Sequence, residues 1–291
     1  MAVTLNDIAR ETGLSKQAVC AALSGKSTAR ISETKRDLVI KTAQRLGYTR
    51  NRIASFMQKG RFDVIAVIYS EESGGGEHMQ KILGGCLQAL REHKFSLKLF
   101  SVKPQNMDAT IEEVRELQVA GVLFHVSDFA FIETAMKVLS QAQIPCGVVN
   151  LPNQGDYGFG AFFDDESGVA AAVHYLYECG HRKIAFVTHR YHLFYIEKRL
   201  QGFLRGCREC RMEYVIIERP WDYEFGSSDT FFKEILASKV SAAVCAGDNF
   251  AAEVLYFTYK YHMRVPDDLS LIGFGGYNIC EYSVVPLSTV V

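Results

Sequence analysis

From residue 62 onward, short apolar runs alternate with longer segments of helical periodicity, and this alternation constrains the fold more than any other feature. Strands that alternate with helices build parallel sheets with helices on both faces. The runs fall into two series, so the sequence predicts an α/β body with two lobes. The predicted strands are 62–69, 95–102, 120–126 and 146–150 in the first series, then 160–164, 183–188, 213–218, 241–246 and 269–274.

The predicted strand ends indicate where a small molecule would bind. Ligands of open parallel sheets bind at the carboxyl ends of the strands, and often between two lobes. Ser70 ends the first predicted strand, while Asp248 and Asn249 follow the strand 241–246. These three polar residues are therefore candidate ligand contacts.

The first 61 residues carry most of the positive charge. They contain twelve Lys and Arg against four Asp and Glu, a formal charge of +8, whereas the whole chain has a net charge of −1. A basic segment joined to an acidic body favours binding to a polyanion. A solvated basic surface with no partner is the alternative.

This basic segment is predicted to contain three short helices. Thr4 and Asp7 form a capping pattern before the first helix, and Gly13 ends it. Ser15 begins the second helix and Ser32 the third, with Val39, Ile40, Ala43 and Leu46 expected to face inward. Two helices joined by a tight turn and braced by a third predict an all-α helix-turn-helix head. A three-helix bundle that only packs is the alternative.

The second helix of such a unit enters the DNA major groove with its amino-terminal residues. Lys16 can donate hydrogen bonds to guanine O6 and N7, and Gln17 can pair bidentately with adenine. Ser15, at the amino terminus of the helix, is suited to a phosphate. The head is therefore predicted to bind double-stranded DNA.

The chain resembles the lactose-repressor (LacI/GalR) family of transcription regulators. The strings that carry the resemblance are TLNDIARETGLSKQAVCAALSG (4–25), RISETKR (30–36), LGYTRNRIA (46–54), GHRKIAF (180–186), RLQGF (199–203) and PDDLSLIGF (266–274). The resemblance implies a cytoplasmic homodimer that reads a palindromic operator, expected to act as a repressor. It also implies a periplasmic-binding-protein-like body that binds a small-molecule effector between its lobes, a sugar being one candidate.

The resemblance divides the chain into a head at 1–48, a hinge helix or linker at 49–61, a first lobe at 62–162 and a second lobe at 163–291. Met57 stands where the family wedges an apolar residue into the minor groove. Ala18 and Cys20 lack hydroxyls that the family uses, and the Ala21 methyl suits a thymine methyl group. The implied DNA contacts are Thr4, Ser15, Lys16, Gln17, Ala18 and Ala21 in the head, and Asn51, Arg52, Ala54 and Met57 in the hinge.

The resemblance also adds to the effector site. Arg199 matches the arginine that holds an effector oxygen or carboxylate, and Trp221 matches an aromatic residue that stacks on the ligand. Gly247 and Gly275 stand where the family has an asparagine and an aspartate that bind sugar hydroxyls. The glycines either make room for a larger ligand or mark a pocket that has lost its effector. The chain ends at PLSTVV (286–291), where the family crosses back to the first lobe, so a truncated carboxyl terminus is expected.

Other classes of protein receive less support. The eight scattered cysteines, including the pair Cys207 and Cys210, are typical of reduced structural thiols, with no second pair to complete a zinc site. No secretory signal, apolar run of about 18 residues or recognisable catalytic motif is present. We therefore expect no enzymatic activity, cofactor or metal. A solute-binding protein without DNA function and an α/β enzyme are the alternatives.

Overall fold

The computed structural model describes residues 3–24, 31–49, 61–70, 76–103, 105–152, 158–189, 193–219, 225–226 and 228–291. The chain divides into two compact units, residues 1–62 and residues 63–291.

The first unit contains three helices: α1 (Leu5–Thr12), α2 (Lys16–Ser24) and α3 (Glu33–Arg45). A capping box opens α1, in which the Thr4 backbone N–H donates to the Asp7 carboxylate at 2.9 Å. Gly13 ends α1 with a φ of 68°, a left-handed conformation that glycine adopts without steric cost. Ser15 caps α2, because its Oγ accepts a hydrogen bond from the Ala18 N–H at 3.2 Å. The predicted caps of α1 and α2 are therefore confirmed, whereas Ser32 stands at the N-cap of α3 without a capping hydrogen bond from its side chain.

A small apolar core joins the three helices. Its fully buried side chains include Ile8, Val19 and Val39. Ile40 was predicted to face this core, but the structure leaves 37% of it exposed and buries Thr42 instead. Consecutive helical residues point about 100° apart, so Val39 and Ile40 cannot both face the same narrow core.

The second unit contains two five-stranded sheets. Their orders are β2-β1-β3-β4-β5 and β10-β9-β8-β6-β7, and every strand pair is parallel. The first lobe comprises β1 (Val64–Ser70), α4 (Glu77–Glu92), β2 (Ser96–Val102), α5 (Met107–Glu116), β3 (Gly121–His125), α6 (Phe129–Gln141), β4 (Cys146–Val149) and β5 (Gly158–Ala161). The second comprises α7 (Asp165–Glu178), β6 (Lys183–His189), α8 (Phe194–Cys210), β7 (Glu213–Arg219), α9 (Thr230–Ser238), β8 (Ala242–Cys245), α10 (Asp248–Lys260), β9 (Ser270–Phe274), α11 (Ile279–Tyr282) and β10 (Ser288–Val290).

The predicted two-lobed parallel α/β body is confirmed. Each predicted strand overlaps an observed one, with ends displaced by a few residues at most. The assignment of 160–164 to the second series was wrong, because this strand corresponds to β5, which pairs with β4 in the first sheet. Two elements, α11 and β10, were not predicted, because a four-residue helix and a three-residue strand are too short to show a hydrophobic period. β10 pairs with β9 and completes the second sheet.

Both faces of the second sheet are covered. Ala185 and Val187 of β6 belong to one apolar core, whereas Ile184 and Phe186 of the same strand belong to another. The close approach of α7 and α8 depends on Gly202, since a Cβ there would lie 2.1 Å from the Glu166 carbonyl oxygen. Among the described residues, no helix has the length and apolar character needed to span a membrane.

Candidate functional site

Polar residues gather at the carboxyl ends of the strands in both lobes. The parallel pairing aligns these ends along one edge of each sheet. Such edges are where open α/β sheets bind ligands. In the first lobe the residues are Ser70, His125 and Asn150, and in the second they are His189, Arg219 and Asp248.

Arg199 lies in the first turns of α8 and is held by other parts of the second lobe. Its Nε donates to Asp165 Oδ1 at 2.8 Å and its Nη1 donates to the Ala246 carbonyl oxygen. The guanidinium lies 3.8 Å from the centroid of the Phe274 ring, a cation–π contact. Only 11% of the Arg199 side chain and 2% of the Asp165 side chain are exposed, so this is a buried ion pair.

Hydrogen bonding leaves Arg199 one nitrogen for a ligand. Within the described residues, Nη2 of Arg199 has no hydrogen-bond partner. Burial raises the pKa of the Asp165 carboxyl, and the charge of Arg199 opposes that effect. Arg199 was predicted from the family resemblance, whereas its partner Asp165 was not predicted.

Asp248 is completely buried and organises the loop after β9. Its carboxylate accepts hydrogen bonds from the Tyr277 N–H at 2.7 Å and from Thr289 Oγ1 at 2.6 Å. A Cβ on Gly273 would lie 2.2 Å from Asp248 Oδ1, and one on Gly275 would lie 3.1 Å from the Tyr277 ring. The Asp248 carboxylate and the Tyr277 ring therefore occupy the space beside these two glycines.

Of the other predicted effector contacts, two lie in the described part of the chain. Asn249 is exposed at the amino terminus of α10, and Ser70 is half-buried at the end of β1. Trp221 lies outside the described residues.

A pair of histidines, His78 on α4 and His125 at the end of β3, was missed by the sequence analysis. Their ring centroids lie 5.5 Å apart, and the His78 ring lies 6.1 Å from that of Phe163. Nε2 of His78, Nδ1 of His125 and Oδ1 of Asn150 are buried without a hydrogen-bond partner in the described part of the chain. A buried polar atom without a partner costs about 1–3 kcal/mol, so these three atoms are candidates for contact with a ligand.

Burial lowers the pKa of both histidines. Burial lowers the pKa of His125 to about 4, with His78 as a second cause. Burial also lowers the pKa of His78, followed by the positive charges of Arg199 and Lys81. Both shifts favour the neutral form of the imidazole ring.

Helix α4 makes direct contacts with the second lobe. Lys81 Nζ donates to the Gly276 carbonyl oxygen at 2.7 Å, and the Glu77 carboxylate accepts from the Asn278 N–H at 2.9 and 3.1 Å. We call this set of contacts the α4 latch. It connects the first lobe to the loop that Asp248 organises.

A second buried ion pair lies at the end of β7. Arg219 Nε is 2.6 Å from Glu253 Oε2, and Glu253 Oε1 accepts from the Gly226 N–H at 2.8 Å. Burial lowers the pKa of the neighbouring His189 to about 4, and the charge of Arg219 adds to that effect. His189 is the buried last residue of β6.

In the head, the structure places three predicted DNA contacts together. Ser15, Lys16 and Gln17 are exposed at the amino terminus of α2. Ala18 and Ala21 are half-buried, and Thr4 is exposed but occupied in its capping box. The hinge candidates Asn51, Arg52, Ala54 and Met57 lie outside the described residues.

The described part of the chain contains no group of three or more His, Cys, Asp or Glu side chains arranged to hold a metal ion.

Comparison with known proteins agrees with this architecture. A model of the periplasmic binding protein-like domain matches residues 173–291. The chain is 22% identical to the ribose operon repressor of Haemophilus influenzae, over 99% of this chain and 86% of that protein. It is 24% identical to the transcriptional repressor CytR of Escherichia coli, over 99% and 84%.

Among solved structures, the Lac repressor dimer bound to operator and an anti-inducer matches with a TM-score of 0.81 and 19% identity, over 99% of this chain and 87% of that chain. The fold is therefore that of the Lac repressor. The repressors that align along nearly the whole sequence agree with the resemblance of the chain to the LacI/GalR family.

Proposed function

We propose that this protein is a sequence-specific DNA-binding transcriptional repressor whose operator affinity is set by a small molecule bound between its lobes. The observation that carries the proposal is the exposed set Ser15, Lys16 and Gln17 at the amino terminus of α2, on a segment with a charge of +8. The names of the aligned relatives, which are repressors, support the same function. The alternative of a solute-binding protein without DNA function leaves the basic head unexplained.

In this proposal α1 and α2 form a helix-turn-helix unit and α3 braces it. Lys16 and Gln17 reach base edges in the major groove. Ser15 Oγ accepts a hydrogen bond from the Ala18 N–H, so the hydroxyl proton of Ser15 can be donated to a phosphate oxygen. One head reads one half-site, hence a homodimer reads a palindromic operator in the cytoplasm.

Control by the effector operates through a shift in population. A ligand that binds more tightly at one angle between the lobes shifts the population toward that angle. The size of the shift is set by the difference between its affinities for the two lobe angles. The angle between the lobes sets the distance between the two hinge segments of a dimer, residues 49–61 of each chain. This distance in turn sets the free energy needed to fold the hinges on DNA, where Met57 inserts into the minor groove. The α4 latch is a contact that changes between such states.

The effector contacts in this proposal are Nη2 of Arg199, the ring of Trp221 and the polar side chains of Asn249 and Ser70. Asp248 acts by holding the loop of Tyr277 in place, because its oxygens already accept hydrogen bonds within the lobe.

The test is a DNA-binding titration of the full chain and three variants at several salt concentrations. Lys16→Ala and Gln17→Ala should each weaken binding to the preferred duplex by about 1–3 kcal/mol. Gln44→Ala, on an exposed position of α3, is the matched control and should leave binding unchanged. If Lys16→Ala and Gln17→Ala bound the preferred duplex as tightly as the natural chain, α2 would not be the reading helix.

A further inference from the structure

The α4 latch joins side chains of the first lobe to main-chain atoms of the second. The Asn278 N–H donates to both carboxylate oxygens of Glu77, at 2.9 and 3.1 Å. Lys81 Nζ donates to the Gly276 carbonyl oxygen at 2.7 Å and lies 5.4 Å from the centroid of the Tyr277 ring. A charged group takes part in each of these hydrogen bonds, and such bonds are about twice as strong as neutral ones. The latch therefore fastens α4 to the backbone of the loop that follows β9.

The two side chains of the latch are held by their own helix. Glu77 is the first residue of α4 and Lys81 follows one turn later, so both project from the same face of the helix. Lys81 Nζ lies 3.2 Å from Glu77 Oε1, and the amino terminus of a helix favours a negative charge such as that of Glu77. The first lobe thus presents an acceptor and a donor side by side.

The loop that receives these side chains is fixed by contacts within the second lobe. The buried Asp248 carboxylate accepts hydrogen bonds from the Tyr277 N–H at 2.7 Å and from Thr289 Oγ1 at 2.6 Å. Thr289 Oγ1 accepts in turn from the Gly276 N–H at 3.2 Å. Gly276 has a φ of 61°, a conformation that glycine adopts without steric cost. Asp248 and Thr289 therefore position the main-chain groups that α4 binds.

We propose that these contacts, from Thr289 and Asp248 through the loop to Glu77 and Lys81, hold the two lobes at one angle when no ligand is bound. Asp248 is a positioning residue in this arrangement, because it acts on the first lobe through the loop. A change of lobe angle must then break the latch, so the strength of the latch sets the operator affinity of the ligand-free protein. The effect on operator affinity rests on the proposed function, whereas the contact between the lobes does not.

The test of the contact between the lobes is hydrogen–deuterium exchange of the full chain without DNA, resolved to single amides. Two neighbouring amides report on different contacts, because the Asn278 N–H donates across the lobes to Glu77 and the Tyr277 N–H donates within one lobe to Asp248. Glu77→Ala should make the Asn278 amide exchange at least about tenfold faster, the factor expected for loss of a hydrogen bond to a charged group. The Tyr277 amide should keep its rate.

Two further variants calibrate this result. Glu77→Gln keeps one acceptor oxygen without the charge, so it should accelerate exchange of the Asn278 amide less than Glu77→Ala does. Glu92→Ala removes an exposed carboxylate at the other end of α4 and is the matched control, which should change neither amide.

The positioning role of Asp248 is tested from within the second lobe. Thr289→Val removes the hydroxyl that joins Asp248 to the Gly276 N–H, and it should accelerate exchange of the Asn278 amide about three- to tenfold although Thr289 is not part of the latch. Ser288→Ala, at the exposed neighbouring residue, is the control and should have no effect. Asp248→Asn should act in the same direction, and if that variant did not fold, Thr289→Val would still decide the question.

The effect on DNA is tested by the affinity of the ligand-free protein for its preferred duplex. Glu77→Ala combined with Lys81→Met should change this affinity at least about fivefold, the lower end of the range for coupling between two sites. Glu92→Ala should leave it unchanged.

Three results would overturn the inference. Exchange of the Asn278 amide at its natural rate in Glu77→Ala would mean that the latch does not hold the lobes. Equal acceleration at Tyr277 would mean that the loop itself unfolds, and faster exchange at Asn278 with unaltered affinity for the duplex would remove the control of DNA binding. A natural chain that bound no duplex would contradict the proposed function instead, and the exchange measurement would still decide whether the latch holds the lobes.

Discussion

Replacing Arg199 with methionine tests the buried ion pair on which the geometry of the second lobe depends. Methionine keeps an unbranched apolar side chain beside the Phe274 ring, but it leaves the Asp165 carboxylate buried without its cation. Breaking one partner of a buried pair costs about 3–5 kcal/mol. For a folded unit of about 150–250 residues, 1 kcal/mol lowers Tm by roughly 2–4 °C, so Tm should fall by roughly 6–20 °C.

The loss should depend on pH in a defined direction. Burial raises the pKa of Asp165 above its ordinary value even with Arg199 present, and without Arg199 it rises further. A carboxyl whose folded pKa is raised binds its proton more strongly in the folded state, so stability falls as the pH rises through that pKa. The Arg199→Met variant should therefore be closest to the natural protein at about pH 5 and furthest from it at about pH 8.

The assay is thermal unfolding of the full chain, followed by circular dichroism at both pH values. Lys198→Met is the matched control on the same helix, because Lys198 is partly exposed and its Nζ lies 3.8 Å from Glu166 Oε2. This variant should change the free energy of unfolding by no more than about 0.5 kcal/mol. Asp165→Asn combined with Arg199→Met should recover part of the loss. An Arg199→Met protein that melts at the natural temperature at both pH values would refute the argument.

Three further predictions follow from single contacts. His125→Gln should reduce the loss of folding stability at acid pH. The pKa of His125 is lowered to about 4 in the folded protein, so in the natural chain this residue lowers the free energy of unfolding by about 1.4 kcal/mol per unit as the pH drops from about 6.5 toward 4. An unchanged slope of the free energy of urea unfolding against pH would contradict this. Gly202→Ala should lower the free energy of urea unfolding by about 1–3 kcal/mol, because the new Cβ would lie 2.1 Å from a backbone oxygen. Gly84→Ala, in open space on α4, should raise it by about 0.5–1 kcal/mol. Effects of the same sign would contradict the close approach of α7 and α8. Gln17→Ala should relax base preference at one operator position, measured by binding to single-base variants, and a uniform loss for all sequences would mean that Gln17 contacts only phosphate.

The sequence predicted the body well because its signals are local. Each predicted strand is a run of apolar residues with a helical pattern after it, and the parallel order follows from that alternation. Ile40 shows the limit of periodicity, because a neighbouring residue already filled the inward position of α3. Short elements such as α11 carry no such period.

The site was harder to predict because its partners are distant in sequence. Asp165 lies 34 residues before Arg199, and only the fold brings the two together. His125 is the polar last residue of an otherwise apolar strand, and this position could have identified it as a candidate ligand contact. The position of His78 on α4 gave no such indication. Of Gly247 and Gly275, for which a larger ligand and a lost effector were the two alternatives, Gly275 has the Tyr277 ring in the space beside it.

The central claim is that the head reads specific duplex sequences, and selection from a pool of random duplexes by the full chain tests it most directly. The account predicts enrichment of a palindromic sequence, with affinity that falls steeply as salt rises because counterions are released from the phosphates. A chain that enriched no sequence and bound no duplex at about 50 mM salt would contradict it.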